Sequence, residues 1–282
     1  MSLRDLRDRG LALVFSSPGL SRVTGRLADL RAPAVLLRPL LRAYVRLYGV
    51  DLDEAAEPLE AHATFNAFFT RRLKPGGRPL PVDLRMLVSP ADSRLNSIGP
   101  VPADGRLEQV KGRTYDLAEL LGSDEEAERF RGGVQATHYL SPSMYHRVHS
   151  PVDGRVRAWT YLPGRLFPVN APSVRAIDRL FVRNERVAIF MEADVFGSVA
   201  LVMVGAANVG RMTLSFAPLV TNTGAASGTV RPAGEIRLRR GDELGAFNLG
   251  STVVLLASDP RLEPLAAGGE LVRVNQGLFR RP

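Results

Sequence analysis

Ser251 is the residue whose hydroxyl has the most chemistry within reach of its own backbone. It stands in Leu249-Gly250-Ser251-Thr252, one residue from the Gly250 carbonyl, which no side chain shields. A serine hydroxyl is a weak nucleophile at its ordinary pKa and needs a neighbouring base. The chain has four histidines, His62, His138, His146 and His149, and two of them share Tyr145-His-Arg-Val-His149. With an aspartate, Asp92 or Asp104, Ser251 and His149 supply the residue types of a proton relay. In such a relay the imidazole takes the hydroxyl proton and the carboxylate holds the imidazole tautomer. The same residues have other uses. Two histidines three apart, with His138 as a third, can serve a metal, or they can simply pack. A Gly-Ser pair can be no more than the polar start of a strand. No His-Glu-x-x-His, Gly-x-Ser-x-Gly, phosphate-binding Gly-x-x-x-x-Gly-Lys-Ser/Thr or dinucleotide Gly-x-Gly-x-x-Gly is present, and no metal is predicted.

Positioning these groups falls to a β-rich body. Val253 to Leu256 is a short apolar run with β-branched residues, read as a buried strand that Ser251 would lead into. Val134–Leu140, Gly154–Trp159, Arg186–Met191, Val199–Val204, Val209–Phe216 and Glu270–Val274 read as further short strands between turn residues. Leu117–Leu121 and Asp124–Phe130 read as two short helices split by Gly122 and Ser123. The first third differs. Leu20, Val23, Leu27 and Leu30 recur at helical spacing. Next, Leu40, Leu41, Tyr44, Val45, Leu47 and Tyr48 form an apolar body beside an Arg38, Arg42, Arg46 stripe. Pro39 suits a first helical turn there and Gly49 a C-terminal cap. Thr64 can cap a short helix carrying Phe65, Phe68 and Phe69. The fold class expected is α+β: N-terminal amphipathic helices (residues 1–62) followed by a mainly antiparallel β-rich catalytic domain (63–282).

Charge and composition narrow the partners. The 282 residues carry a formal net charge of +8. Residues 1–50 hold nine arginines against three aspartates, so most of the excess lies in the helical segment. That points to an anionic partner, and apolar faces beside arginine stripes suit a lipid interface better than a nucleic-acid groove; the same segment reads equally as a surface helix packed on its own domain with a solvated basic face. The absence of cysteine excludes disulfides, thiolate catalysis and Cys-ligated zinc. No apolar stretch approaches the ~20 residues of a membrane-spanning helix, and Leu11–Phe15 is too short for a secretory leader.

Taken together, these segments resemble the phosphatidylserine decarboxylase family of the bacterial membrane-associated type. The matching pieces run in order from Phe65-Asn-Ala-Phe-Phe-Thr-Arg-Arg-Leu-Lys-Pro75 through Ser89-Pro-Ala-Asp92, Tyr139-Leu-Ser-Pro142 and Tyr145-His-Arg-Val-His149. They continue through Asn184-Glu-Arg-Val187 and Val204-Gly-Ala-Ala-Asn-Val-Gly210 to Gly241-Asp-Glu-Leu-Gly-Ala-Phe-Asn-Leu-Gly-Ser-Thr252. The resemblance implies that Ser251 attacks the Gly250 carbonyl and that the chain then splits. The products are a β chain, 1–250, and an α chain, 251–282, headed by a pyruvoyl group made from Ser251. It places the self-cleavage relay on Asp92, His149 and Ser251. Asp92 is preferred to Asp104 because it follows the Leu-Val-Ser-Pro lead-in, although the Gly that usually follows the family's aspartate stands after Asp104. The resemblance also implies a Schiff base between the pyruvoyl and the amine of phosphatidylserine, loss of carbon dioxide to give phosphatidylethanolamine, and proton transfer by His146, with Tyr139 as a substrate contact. The partners it implies are the phospholipid, an anionic membrane at the cytoplasmic face of the cell membrane, the sister chain of the same precursor, and a homodimer; nucleic acid is not among them. The competing readings are a Ser-His-Asp hydrolase that does not cut itself and a non-enzymatic membrane binder.

Overall fold

The computed structural model describes residues 18–110, 112–207, 211–248 and 251–282. Leu249 and Gly250, and with them one side of the expected cleavage site, lie outside the described residues.

The body is built on one large antiparallel sheet. A meander of β7 (Gly154–Leu162), β8 (Arg186–Ala193) and β9 (Gly197–Gly205) forms one half. β14 (Ser251–Ala257) lies beside β9, and β5 (Val134–Leu140) lies on its other side. Then come β2 (Ser93–Pro100) and β16 (Leu271–Val272), while β11 (Gly228–Val230) and β12 (Ile236–Leu238) pair along the free edge of β7. Every residue of β14 is buried, as its apolar run requires of a strand covered on both faces. A smaller sheet has β13 (Glu243–Asn248) at its centre, between β10 (Arg211–Leu214) and β6 (Arg147–His149). The β3 (Arg106–Val110) and β4 (Arg113–Asp116) hairpin and a three-stranded sheet of β1 (Met86–Val88), β17 (Gly277–Arg280) and β15 (Glu263–Pro264) complete the body.

The small sheet lies on a defined face of the large one. Residues directly opposed across a ladder share a face. Ser251 is opposed to Leu140 and Gly205, and Val253 to His138 and Met203, so these side chains point the same way. A Cβ on Gly245 of β13 would come 3.3 Å from Met203 Sδ and 2.4 Å from the Thr213 carbonyl. Gly245 is therefore the contact through which the small sheet, with its histidine strand, presses onto the Ser251 face.

The helical segment comprises α1 (Pro18–Asp29), α2 (Ala34–Tyr48) and α3 (Phe65–Phe69). Gly49 ends α2 in the left-handed conformation, and Thr64 Oγ1 caps α3 by accepting from the Ala67 N–H. Pro39, expected in a first turn, instead lies inside α2, which begins five residues earlier. Its missing N–H would have bonded the Val35 carbonyl; Val35 is exposed, so water can take that carbonyl. Leu37 and Leu41 of α2 form a small core with Val50, Leu59 and Phe68. Tyr44 ties this core to the body by donating to the Pro142 carbonyl at 2.6 Å. α4 (Leu117–Leu121) and α5 (Asp124–Glu128) are capped by Asp116 and Ser123, and α6 (Ala171–Ala176) and α7 (Leu180–Arg183) follow.

The predicted strands are present, with changes at their ends; Val209 and Gly210, where one of them was to begin, lie outside the described residues. Glu270–Val274 shrinks to Leu271–Val272 because the Val274 N–H turns to Asp92. β1 to β4, β6, β11 to β13, β15 and β17 were not predicted; in β2 and β3 burial alternates around polar residues, without a continuous apolar run.

Candidate active site

Ser251 opens β14 between two paired strands, fully buried, and its Oγ has no hydrogen-bond partner among the described residues. A buried hydroxyl left unmatched is uncommon and costs stability unless chemistry or a ligand uses it.

His149 ends β6 opposite Glu243. Its backbone N–H donates to the Pro90 carbonyl at 2.8 Å, which ties the histidine strand to the turn carrying Asp92. The ring is fixed at both nitrogens. Nδ1 lies 2.8 Å from the Gly241 carbonyl, which can only accept, so Nδ1 carries the hydrogen. Nε2 then holds a lone pair, and the Tyr145 hydroxyl donates to it at 2.9 Å. Burial pushes the His149 pKa down, while the Gly241 carbonyl and the charges of Glu243 and Asp92 act the other way. The imidazole is thus held neutral in the tautomer a general base at Nε2 requires. Gly241 has φ +89°, a conformation that glycine adopts freely and that turns its carbonyl toward the ring. A cleft of about 240 Å³ lies here, lined by Tyr145, His149, Gly241, Glu243 and Arg78 among others.

Asp92 is mostly buried close to His149, but its hydrogen bonds go elsewhere. Arg78 donates from Nε at 3.0 Å and from Nη2 at 2.5 Å, and the Val274 N–H donates at 2.8 Å. Arg78 also donates to Glu54 at 2.6 Å. Asp92 therefore acts on His149 through its charge. Asp104 lies in the exposed turn before β3, where its carboxylate accepts from the Arg106 N–H, and it is not among the groups whose charge reaches His149.

His146 is fully buried in front of β6. Nδ1 donates to the Met144 carbonyl at 2.8 Å, so Nε2 keeps a lone pair, and that atom is buried without a partner among the described residues. The Phe69 ring lies 4.1 Å away between centroids. Burial pushes the His146 pKa down to about 3, so the ring is neutral. Tyr139 is opposed to Thr252 and therefore projects from the face away from Ser251. It lines a cavity of about 350 Å³ together with Gln109 and Val174.

Several residues around these groups had drawn no attention as site residues in the sequence. Tyr145 and Gly241 sit inside quoted motifs, as does Arg71, but only the folded contacts give them work. Arg78 had no local signal. His138, named above as a possible third metal ligand, shares the Ser251 face, with Nδ1 2.8 Å from Ser93 Oγ, and burial lowers its pKa to about 3.

The phosphatidylserine decarboxylase family model matches residues 65–280. The chain is 44% identical over 264 residues to the phosphatidylserine decarboxylase proenzyme of Anaeromyxobacter sp. (strain K), covering 92% of this chain and 93% of that protein. It is 43% identical over 241 residues to the proenzyme of the same name from Marinobacter nauticus, covering 84% of each chain. The Bordetella pertussis proenzyme is 45% identical over 250 residues, covering 86% of this chain and 83% of that one. On a match that takes in α3, both histidines, Asp92 and Ser251, the chain belongs to the phosphatidylserine decarboxylase family.

Proposed function

We propose that the chain cuts itself between Gly250 and Ser251 and then decarboxylates phosphatidylserine to phosphatidylethanolamine, with a pyruvoyl group derived from Ser251. The observation that carries this reading is the buried Ser251 Oγ, left without a partner among the described residues at the head of a strand that is paired on both sides. A hydroxyl left unmatched in this way supports the reading that Ser251 reacts with its own backbone. The β14 ladders would keep the short α chain seated after the cut.

His149 is the base for the first step. Its Nε2 lone pair is turned toward Tyr145, so taking the Ser251 proton requires exchange of that phenol bond for one with Oγ. Asp92, anchored by Arg78, stabilises the positive charge that His149 then acquires. The pyruvoyl group supplies an electron sink for the bond to the departing carboxylate. His146 offers the other lone pair. With the anions of the bound substrate beside it raising its basicity, it takes a proton from the substrate ammonium and later returns one to the carbon that has lost carbon dioxide. Phe69 covers this imidazole and keeps water from competing for that proton.

The helical segment supports docking of the enzyme at the cytoplasmic face of an anionic membrane. Val23, Leu27 and Leu30 of the α1 region and Val35, Leu36, Leu40 and Leu47 of α2 are exposed beside Arg38, Arg42 and Arg46. Among the described residues no helix is long and apolar enough to cross a membrane, so the expected contact is a reversible one in the interface.

Intact mass under denaturing conditions tests the central step. Two species are expected, the smaller being residues 251–282 with pyruvoyl in place of Ser251. Ser251→Ala gives one uncut chain. Cleavage between residues 250 and 251 that persists in Ser251→Ala overturns the reading.

A further inference from the structure

Arg71 follows α3 and is 5% exposed. Its Nη2 donates to the Ser143 carbonyl at 3.1 Å, and its Cζ lies 5.4 Å from the centroid of the Phe68 ring. Nε and Nη1 are buried with no acceptor among the described residues. A buried guanidinium with two unmatched donors is rare, because removing a charge from water is costly unless another group pairs with it. The acidic groups whose charges reach Arg71 include Asp92, Glu54 and Asp51, and each has hydrogen bonds elsewhere. Arg78 takes Asp92 and Glu54, and the Asp53 N–H takes Asp51.

Other polar atoms near this segment are also buried without a hydrogen-bond partner among the described residues, His146 Nε2 and Asn66 Oδ1 among them. The stretch from Asn66 to Arg71 touches both surroundings. Asn66 Nδ2 donates to Asn248 Oδ1 at 2.8 Å, at the end of β13, and Phe69 lies against His146. The Arg71 charge also reaches His146. This one segment brings an anion-seeking guanidinium, a proton-accepting imidazole and the end of β13 into the same neighbourhood.

We propose that Arg71 binds the phosphate of the substrate head group and so positions the amine and carboxylate at His146 and residue 251. The inference rests on the function proposed above. The substrate carries two anions, and energetics separates them. An arginine fork on the carboxylate would stabilise the charge that must disappear as carbon dioxide leaves, and would slow the reaction. The phosphate keeps its charge throughout, so binding it costs nothing at the chemical step. A planar guanidinium is also the side chain best matched to phosphate oxygens.

The test uses the processed enzyme and soluble dihexanoyl-phosphatidylserine, which removes membrane binding from the measurement. Arg71→Lys and Arg71→Gln are compared with wild type, with processing checked by intact mass. KM is expected to rise about tenfold or more in both, with kcat changing by a smaller factor. Glycerophosphoethanolamine, which has the phosphate but no carboxylate, is the second probe. It should inhibit the wild type competitively, and its inhibition constant should weaken in each variant by about the factor seen in KM. An unchanged inhibition constant beside a raised KM would assign Arg71 to the carboxylate and overturn the proposal. So would an unchanged KM, or failure of both variants to process, which would make Arg71 a folding residue. A wild-type enzyme that is cut but does not turn over the lipid would instead defeat the functional reading itself.

Discussion

The Gly241 carbonyl, rather than a carboxylate, holds His149 in the tautomer that the proposed base at Nε2 needs, and Gly241→Ala tests this. At φ +89° an alanine is strained by roughly 1–2 kcal/mol. Its Cβ would meet Leu80 Cδ1 at 3.1 Å and the Asn275 amide at 3.3–3.4 Å, side-chain ends that can shift. The midpoint of thermal unfolding should therefore fall by roughly 2–8 °C. Relaxing toward negative φ turns the carbonyl away from Nδ1. Losing one such hydrogen bond, about 0.5–1.5 kcal/mol, should slow self-cleavage by about two- to tenfold. The assay is a time course of precursor made by cell-free translation, with the two chains resolved by mass at a temperature well below unfolding. Gly49→Ala is the control, since that glycine has φ +67° in open space and no contact with His149. It should lose similar stability and cleave at the wild-type rate. If Gly241→Ala is destabilised as expected but cleaves as fast as wild type, the carbonyl does not set the tautomer and the reasoning is wrong.

Three further outcomes follow from the same contacts. In a Ser251→Ala background, which keeps the chain uncut, Arg78→Met should lower the unfolding midpoint by roughly 10 °C, because breaking a mostly buried pair costs about 3–5 kcal/mol; a shift under 2 °C would show that the Asp92 anchor contributes little. Burial holds the His149 pKa below its ordinary value, so the base form survives as pH falls. The self-cleavage rate should fall to half its maximum only below pH 6.5, and a half-maximal rate at pH 6.5 or above would contradict this. His138 and His146 are neutral in the fold down to about pH 3 but protonate near 6.5 when unfolded. Their contribution is complete above that pH and drains away as pH falls toward 3, by about 1.4 kcal/mol per pH unit for each. Urea midpoints of Ser251→Ala between pH 7 and 5 should therefore fall, and less steeply in Ser251→Ala/His138→Gln; equal slopes would rule out a titrating His138.

Much of the architecture was readable because its signals are local. The β14 run could be recognised without a partner, since a strand buried on both faces must be apolar throughout. Gly49 and Thr64 announced their caps for the same reason, as φ and side-chain reach are decided within a few residues. β2 and β3 were illegible because half of each faces polar surroundings, and what makes them strands is the neighbour they pair with. Pro39 misled because a proline inside a helix is tolerated only where the carbonyl it abandons can be hydrated, and exposure is a tertiary property.

The order of residues by itself determined the reactive vocabulary: a serine beside an unshielded glycine carbonyl, histidines three apart, and arginines concentrated at one end. Such features depend on neighbours along the chain. Tertiary structure alone decided the pairings. Gly241, 92 residues from His149, supplies the carbonyl on Nδ1, Arg78 claims Asp92, and Arg71 is buried with donors to spare. Tyr139 and Ser251 likewise face opposite sides of the large sheet because adjacent positions of a pleated ladder must. Hydrogen bonds and burial of this kind arise between segments far apart in the chain, where geometry rather than spacing sets which groups meet.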